Sequence, residues 1–161
     1  MPAMVITVVV AALIPQAVLA LELKEDPGGF DGGKWATPIA EMPDLKLVED
    51  NGELKTYMKP GPPPTMGGVP VEAVWYRFYK GRLESVQVRY SGNATHQAIR
   101  AWSAERFGPL PQPRFRGLQE FTWVGRETTV LLQYDGIRDR GVLFFTSRAI
   151  QAELGATIPL E

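Results

Sequence analysis

In YRFYKGRLESVQVRY, residues Tyr76 to Tyr90, apolar and polar side chains alternate on either side of a Lys-Gly pair. Extended two residues upstream, the run places Val74, Tyr76 and Phe78 on one face and Trp75, Arg77 and Tyr79 on the other. Beyond the Lys-Gly pair, Val86, Val88 and Tyr90 alternate with Ser85, Gln87 and Arg89. A period of two is that of a half-buried strand. Both apolar sets occupy even positions, so they share a face only if the connection holds an odd number of residues. A three-residue loop Tyr79-Lys80-Gly81 meets that condition, with Gly81 in the left-handed position of a bulge turn. Phe78 then opposes Arg82, and Tyr76 opposes Glu84. One face of the hairpin is core. The other carries Trp75, Arg77, Gln87 and Arg89.

The core face needs a cover, and NATHQAIRAWSAERFG, Asn93 to Gly108, supplies it. Ala98, Ile99 and Trp102 fall on one helical stripe, with Phe107 near its end. Asn93 is placed to cap the helix, and Gly108-Pro109 to stop it. Further on, Phe121 and Trp123 sit at odd positions and Val130, Leu132 and Tyr134 at even ones. Here an even-numbered turn, tipped by Gly125-Arg126, brings the two sets to one face. A third strand, Val142 to Ser147, returns after DGIRDRG, and Ala149 to Leu154 adds a helical turn. The expected fold is α+β: an antiparallel sheet of hairpins with one main helix packed on one face.

Upstream, LKLVEDNGELKTYM, Leu45 to Met58, predicts another hairpin turning at Asn51-Gly52. WATPIAEMP opens a short helical turn, with Thr37 as N-cap and Pro38 first in the helix. KPGPPPTMGGVP, Lys59 to Pro70, is too rich in proline and glycine for a helix or a central strand and reads as a surface loop. Residues 21–34 are polar and glycine-rich, the composition of a flexible leader. Residues 35–154 then form a single domain, and 155–161 a tail.

The first twenty residues have a different character. Met4 to Ile14 gives eleven uncharged residues, all but Thr7 apolar, too few to cross a bilayer. Pro15 and Gln16 follow, and then Val18 and Ala20 offer the small side chains of a signal peptide cleaved after Ala20, although no basic residue precedes the apolar run. The mature chain is therefore expected to be periplasmic or secreted, with no stable membrane anchor after cleavage.

At 161 residues, with 45% hydrophobic and 22% charged residues, the chain can bury a core without a metal or disulfide. Residues 21–72 hold five lysines and no arginine against ten acids; residues 73–161 hold one lysine and eleven arginines against eight acids. The halves can attract each other, while the net charge of −1 points to no particular partner. The lack of cysteine excludes thiolate metal sites, cysteine nucleophiles and lipidated cysteine. His96 is the only histidine. It lies in the first turn of the expected helix, where it should be solvated and its pKa lowered by the positive helix end. No G-x-S-x-G, P-loop or G-x-G-x-x-G is present. EDNGE, Glu49 to Glu53, lacks the spacing of a calcium loop. Nothing in the spacing of Glu72, Glu84, Glu120 and Glu127 marks a glycosidase pair. Neither a cofactor nor a metal is implied. Arginines among aromatics can grip phosphates and stack bases, but the near-zero net charge and the expected export oppose a nucleic-acid partner.

Four segments carry a resemblance: WATP at Trp35–Pro38, the hairpin of Tyr76–Tyr90, ERFGPLPQP at Glu105–Pro113, and FTWVGRETTVLLQY at Phe121–Tyr134. Together they resemble small uncharacterised exported bacterial proteins over most of residues 30–148, a family that brings no known activity. In architecture the chain is similar, more loosely, to helix-on-sheet modules of the BamE and beta-lactamase-inhibitor type, which bind other proteins. It departs from BamE in having no lipidated cysteine and no paired helices before the sheet. The expected function is that of a non-enzymatic exported domain that binds a protein or another cell-envelope component. On the residues, the outer sheet face is the candidate surface, with Trp75, Arg77 and Arg89 as its anchors, since Trp and Arg dominate interface energetics. Two alternatives stand beside it: a small envelope hydrolase, and a carrier whose apolar ligand fills a cavity between sheet and helix. Trp75 and Tyr79 also have the option of packing beneath the N-terminal hairpin.

Overall fold

The computed structural model describes residues 20–113 and 117–157. The signal-peptide reading falls, but for Ala20, outside the described residues. In chain order the strands are β1 (Ala20–Glu22), β2 (Gly29–Phe30), β3 (Gly33–Lys34), β4 (Lys46–Asn51), β5 (Leu54–Met58), β6 (Thr65–Met66) and β7 (Val69–Pro70). They continue with β8 (Ala73–Tyr79), β9 (Arg82–Ser91), β10 (Leu118–Val124), β11 (Thr128–Asp135) and β12 (Arg140–Ser147). Helix α1 (Asn93–Phe107) follows β9, and α2 (Arg148–Thr157) follows β12. Eight strands form one sheet in the order β1-β10-β11-β12-β9-β8-β5-β4, antiparallel except for the short parallel pairing of β1 on β10. The fold is α+β, with α1 as its main helix.

The hairpin of β8 and β9 shares its apolar face as the alternation requires, but by a different route. The loop has two residues, not three: Tyr79 pairs with Arg82, and Lys80 (φ 49°) and Gly81 (φ 74°) are both left-handed, the pattern of a type I′ turn. The odd residue is taken up further along, where the register shifts between Arg77 and Phe78 and leaves Glu84 as a bulge. Tyr76 thus opposes Val86 rather than Glu84, and Phe78 opposes Leu83 rather than Arg82. The β10–β11 turn holds an even number of residues as expected, pairing Phe121 with Leu132 and Trp123 with Val130.

Helix α1 lies on the core face and buries His96, Ile99, Ser103 and Phe107, at steps of three and four. Trp102 is only partly buried. The helix start is Gly92 (φ 94°), with no side-chain cap bond, so Asn93 is the first helical residue and not its cap. Gly108 ends the helix at φ 128°, its N–H bonded to the Ala104 carbonyl. His96 is not solvated. It is fully buried, with its ring stacked 3.9 Å from that of Tyr134 and parallel to that of Tyr90.

Residues 21–34 do not stand off the domain as a leader. Leu23 belongs to the core, and β1 adds an edge to β10. The Asp26 carboxylate accepts hydrogen bonds from the N–H groups of Gly28, Glu127 and Thr128 at 3.0, 2.7 and 3.2 Å. Polar composition suggested flexibility, but here the polar groups are what ties the segment down. The Trp35 indole donates to Thr128 Oγ1 at 2.8 Å, and Phe30, Ile39 and Met42 pack against the core. Thr37 does not cap the short 3-10 turn at Ile39–Glu41; its hydroxyl donates to the Lys34 carbonyl. The hairpin of β4 and β5 turns on Gly52-Glu53, one residue later than expected. The proline-rich loop contains the small β6–β7 hairpin. Helix α2 runs through Thr157, past the expected boundary of the domain at 154.

Candidate functional site

Strand pairing sets the side chains of the outer face in cross-strand rows. In one, Trp75 opposes Gln87, Gln87 opposes Phe144, and Phe144 opposes Leu131. In the next, Glu49, Thr56, Arg77 and Ser85 follow one another from the β4 edge. Both rows, with Gln133 and Val142, line one cavity of about 350 Å³. Its walls come from six adjacent strands, which would span about 24 Å if the sheet were flat. Across that width the side chains of this face enclose one shallow, concave groove.

Of the three residues expected to anchor the face, two line this cavity. Trp75 and Arg77 do; Arg89 lines a neighbouring cavity of about 480 Å³ with Leu118, Ile137, Arg138 and Arg140. Arg89 still belongs with them, because its guanidinium sits over the Trp75 ring at 4.8 Å from the centroid. Trp75 and Arg89 are diagonal neighbours across β8 and β9, a position from which a long side chain reaches a ring. The Trp75 indole N–H is covered and has no acceptor among the described residues. A buried donor left unpaired costs about 1–3 kcal/mol. Trp75 stays half-buried whereas Tyr79 is fully buried, so packing away from solvent accounts for Tyr79 and not for Trp75.

Arg77 has a partner that the sequence did not disclose. Its Nε donates to Glu84 Oε2 at 2.8 Å and its Nη2 to Oε1 at 3.4 Å. Glu84 is 0% exposed and also accepts from the Ser85 hydroxyl at 2.6 Å and from the Gln151 amide of α2. Buried carboxylates survive when every oxygen is paired and hydrogen-bonded, and the bulge takes this one out of phase with Val86 and Val88 and sets it beside Arg77 and Ser85. Alternation alone put Glu84 on a regular strand. The one available signal was Leu83, an apolar residue out of phase with Val86 and Val88.

Two other features could bear on function. Between α1 and the sheet lies a cavity of about 260 Å³ lined by Phe30, Met66, Tyr76, Trp102, Phe107 and Phe145. Burial, with Asp31 nearby, pushes the Tyr76 hydroxyl up to about 12. At the start of α1, His96 Nε2 is 3.3 Å from Gln119 Oε1, and Nδ1 is 2.9 Å from the Tyr90 hydroxyl. All three groups are satisfied if Nε2–H donates to Gln119 and Tyr90 donates to Nδ1, the neutral tautomer. Burial first, and then the Arg100 charge, lower the His96 pKa against the opposing effect of the Gln119 bond.

Among the described residues no three His, Asp or Glu side chains converge as a metal site, and no helix is long and apolar enough to cross a membrane. No family model, curated protein or solved structure matches the chain.

Proposed function

We propose that the chain is a non-enzymatic binding domain of the bacterial cell envelope that engages an envelope component through its outer sheet face. The observation that carries this reading is the concave cavity formed by six adjacent strands, with Trp75, Phe144 and Leu131 among amide and hydroxyl side chains. Half-buried aromatics in a concave, mostly uncharged setting are what binding surfaces use as anchors. Arg77 takes a different part from the one expected of it, as the counterion of Glu84; Trp75, with Arg89 stacked on it, is the anchor. The export half of the proposal rests on Met4–Ala20. It is tested by cell fractionation and mass spectrometry of the N-terminus, which should begin at Leu21.

The binding half is tested by crosslinking the full chain in native envelope extract, beside a Trp75→Ala/Arg89→Ala variant of matched thermal stability. A component captured by the parent and lost by the variant supports the outer face. Equal capture by both moves the site elsewhere.

The 260 Å³ cavity between α1 and the sheet favours a second reading, a carrier of a small apolar ligand. It predicts saturable uptake of a fluorescent fatty acid analogue, blocked by filling the cavity with Val74→Phe. The hydrolase alternative lacks comparable support. A general acid must be held protonated, and the buried candidate, Glu84, is ion-paired to Arg77.

A further inference from the structure

We propose that the outer-face cavity takes a neutral saccharide; this deepens the binding reading above and rests on it. The first reason is charge. Arg77 is held at 2.8 Å by a fully buried carboxylate, and Glu49 is the one acid at the rim. Arg77 is the one cation that lines this cavity and it is already paired, while Arg89 lies over the Trp75 ring toward the neighbouring cavity, so the cavity itself offers no free cation for a phosphate, a sulfate or a nucleic acid to recruit.

The second is the kind of polar group on offer. Gln87 stands at the centre of the face, between Trp75 and Phe144 in its row, and makes no side-chain hydrogen bond among the described residues. Thr56 and Gln133 lie around it. Amides and hydroxyls both donate and accept, which suits a ligand whose hydroxyls do the same. Trp75 and Phe144 are two strand spacings apart, about 10 Å, a separation that seats alternate rather than adjacent rings of an extended oligosaccharide by their C–H faces. The unpaired indole N–H beside them is a donor that a hydroxyl oxygen could satisfy after a small ring movement.

The third reason sets the saccharide against an extended peptide. The cavity floor is β8, β9 and β12, all interior strands whose backbone groups are already paired on both sides. A peptide added as a strand needs a free edge; the free edge at this cavity is that of β4, at the rim with Glu49, and not beneath Trp75, Gln87 and Phe144. A sugar is recognised by side chains alone.

The test is calorimetric titration of the full chain with three neutral probes, chitohexaose, cellohexaose and maltohexaose, beside dextran sulfate and a reduced, carboxymethylated unfolded polypeptide. Trp75→Ala, Phe144→Ala and Gln87→Leu are measured in parallel, each checked by circular dichroism and thermal melting. Saturable binding of a hexasaccharide, weakened about tenfold or more by each variant, is the result expected. Silence with all three hexasaccharides overturns the saccharide. Binding of the unfolded polypeptide or of dextran sulfate instead, lost in Trp75→Ala, overturns it while leaving the outer face as the site. A hexasaccharide bound equally by parent and all three variants overturns both.

Discussion

Replacing Arg77 by methionine should destabilise the protein more than replacing the acid it holds, although Arg77 is the more exposed of the two. Arg77→Met keeps most of the stem of the side chain and removes the charge. Glu84, 0% exposed, then retains only the Ser85 hydroxyl and the Gln151 amide. Two charge-assisted bonds are lost, each worth about 1.5–3 kcal/mol when fully enclosed. The Arg77 side chain is 39% exposed, so water replaces part of what is lost, and the expected cost falls to about 2–3 kcal/mol. For a domain of this size that is a drop in melting temperature of roughly 5–10 °C.

Glu84→Leu leaves the opposite orphan, a guanidinium that can turn to solvent, and should cost less. The double variant Arg77→Met/Glu84→Leu should come close to Glu84→Leu alone, giving a coupling of about 2–3 kcal/mol, the whole cost of Arg77→Met, in a double-mutant cycle. Urea unfolding of the four proteins measures it. If Arg77→Met lies within about 0.5 kcal/mol of the parent and the cycle shows no coupling, the ion pair is not what keeps Glu84 inside. Arg77 would then be free to meet an anionic ligand, and the neutrality of the face would be wrong.

Three further outcomes are expected. His96 has a lowered pKa, so the unfolded chain binds the extra proton first: the stabilising effect of neutral His96 is complete above about 6.5 and declines as the pH falls below that value. Melting curves at pH 7.5 and 5 should therefore show a loss in the parent that His96→Gln lacks, and parallel slopes would refute it. In Asp26 the bonds from Thr128, Glu127 and Gly28 outweigh burial and hold the pKa below 3.8, so its contribution is lost only as the pH drops below that value; Asp26→Ala should cost about 1–2 kcal/mol at neutral pH and speed amide exchange in residues 21–34. Gly141 lies under the Tyr90 ring, and a Cβ there would be 2.1 Å from it; Gly141→Ala should cost about 2–4 kcal/mol by urea unfolding, whereas Gly117→Ala, with open space around it, should be near neutral.

The sheet was legible because its signal is local. Alternation in β8, β9, β10 and β11 fixes which face is buried, and parity arithmetic fixes how the faces meet. What parity leaves open is where an odd residue goes. A three-residue loop and a two-residue loop with a bulge obey the same rule, and the second won because Lys80-Gly81 makes a type I′ turn and Glu84 finds three donors inside. His96 was misplaced for a related reason. Its neighbours in sequence are polar, and only the return of β10 and β11 brings Gln119 and Tyr134 to it. Residues 21–34 were misread because Asp26 and Trp35 are tied to Thr128, more than ninety positions away. Trp75 and Arg89 were legible as sharing the outer face but not as neighbours: a three-residue loop would set Trp75 opposite Ser85, and it is the observed register, with Gln87 opposite Trp75, that brings Arg89 to the ring.

The bulge links fold to site. A regular ladder would have put Glu84 in phase with Val86 and Val88 on the core face and left Arg77 on the outer face with its charge uncompensated. By inserting one residue, the chain brings a carboxylate to the guanidinium and ties both to α2 through Gln151. A bulge costs ladder bonds and regular packing, and bulges are concentrated where a side chain must be re-aimed. Here the result is a concave face whose aromatic and amide groups stand clear and whose strongest local field is cancelled from below. If a ligand binds this face as proposed, its selectivity comes from shape and hydrogen bonding rather than from long-range attraction, and salt should hardly alter its affinity.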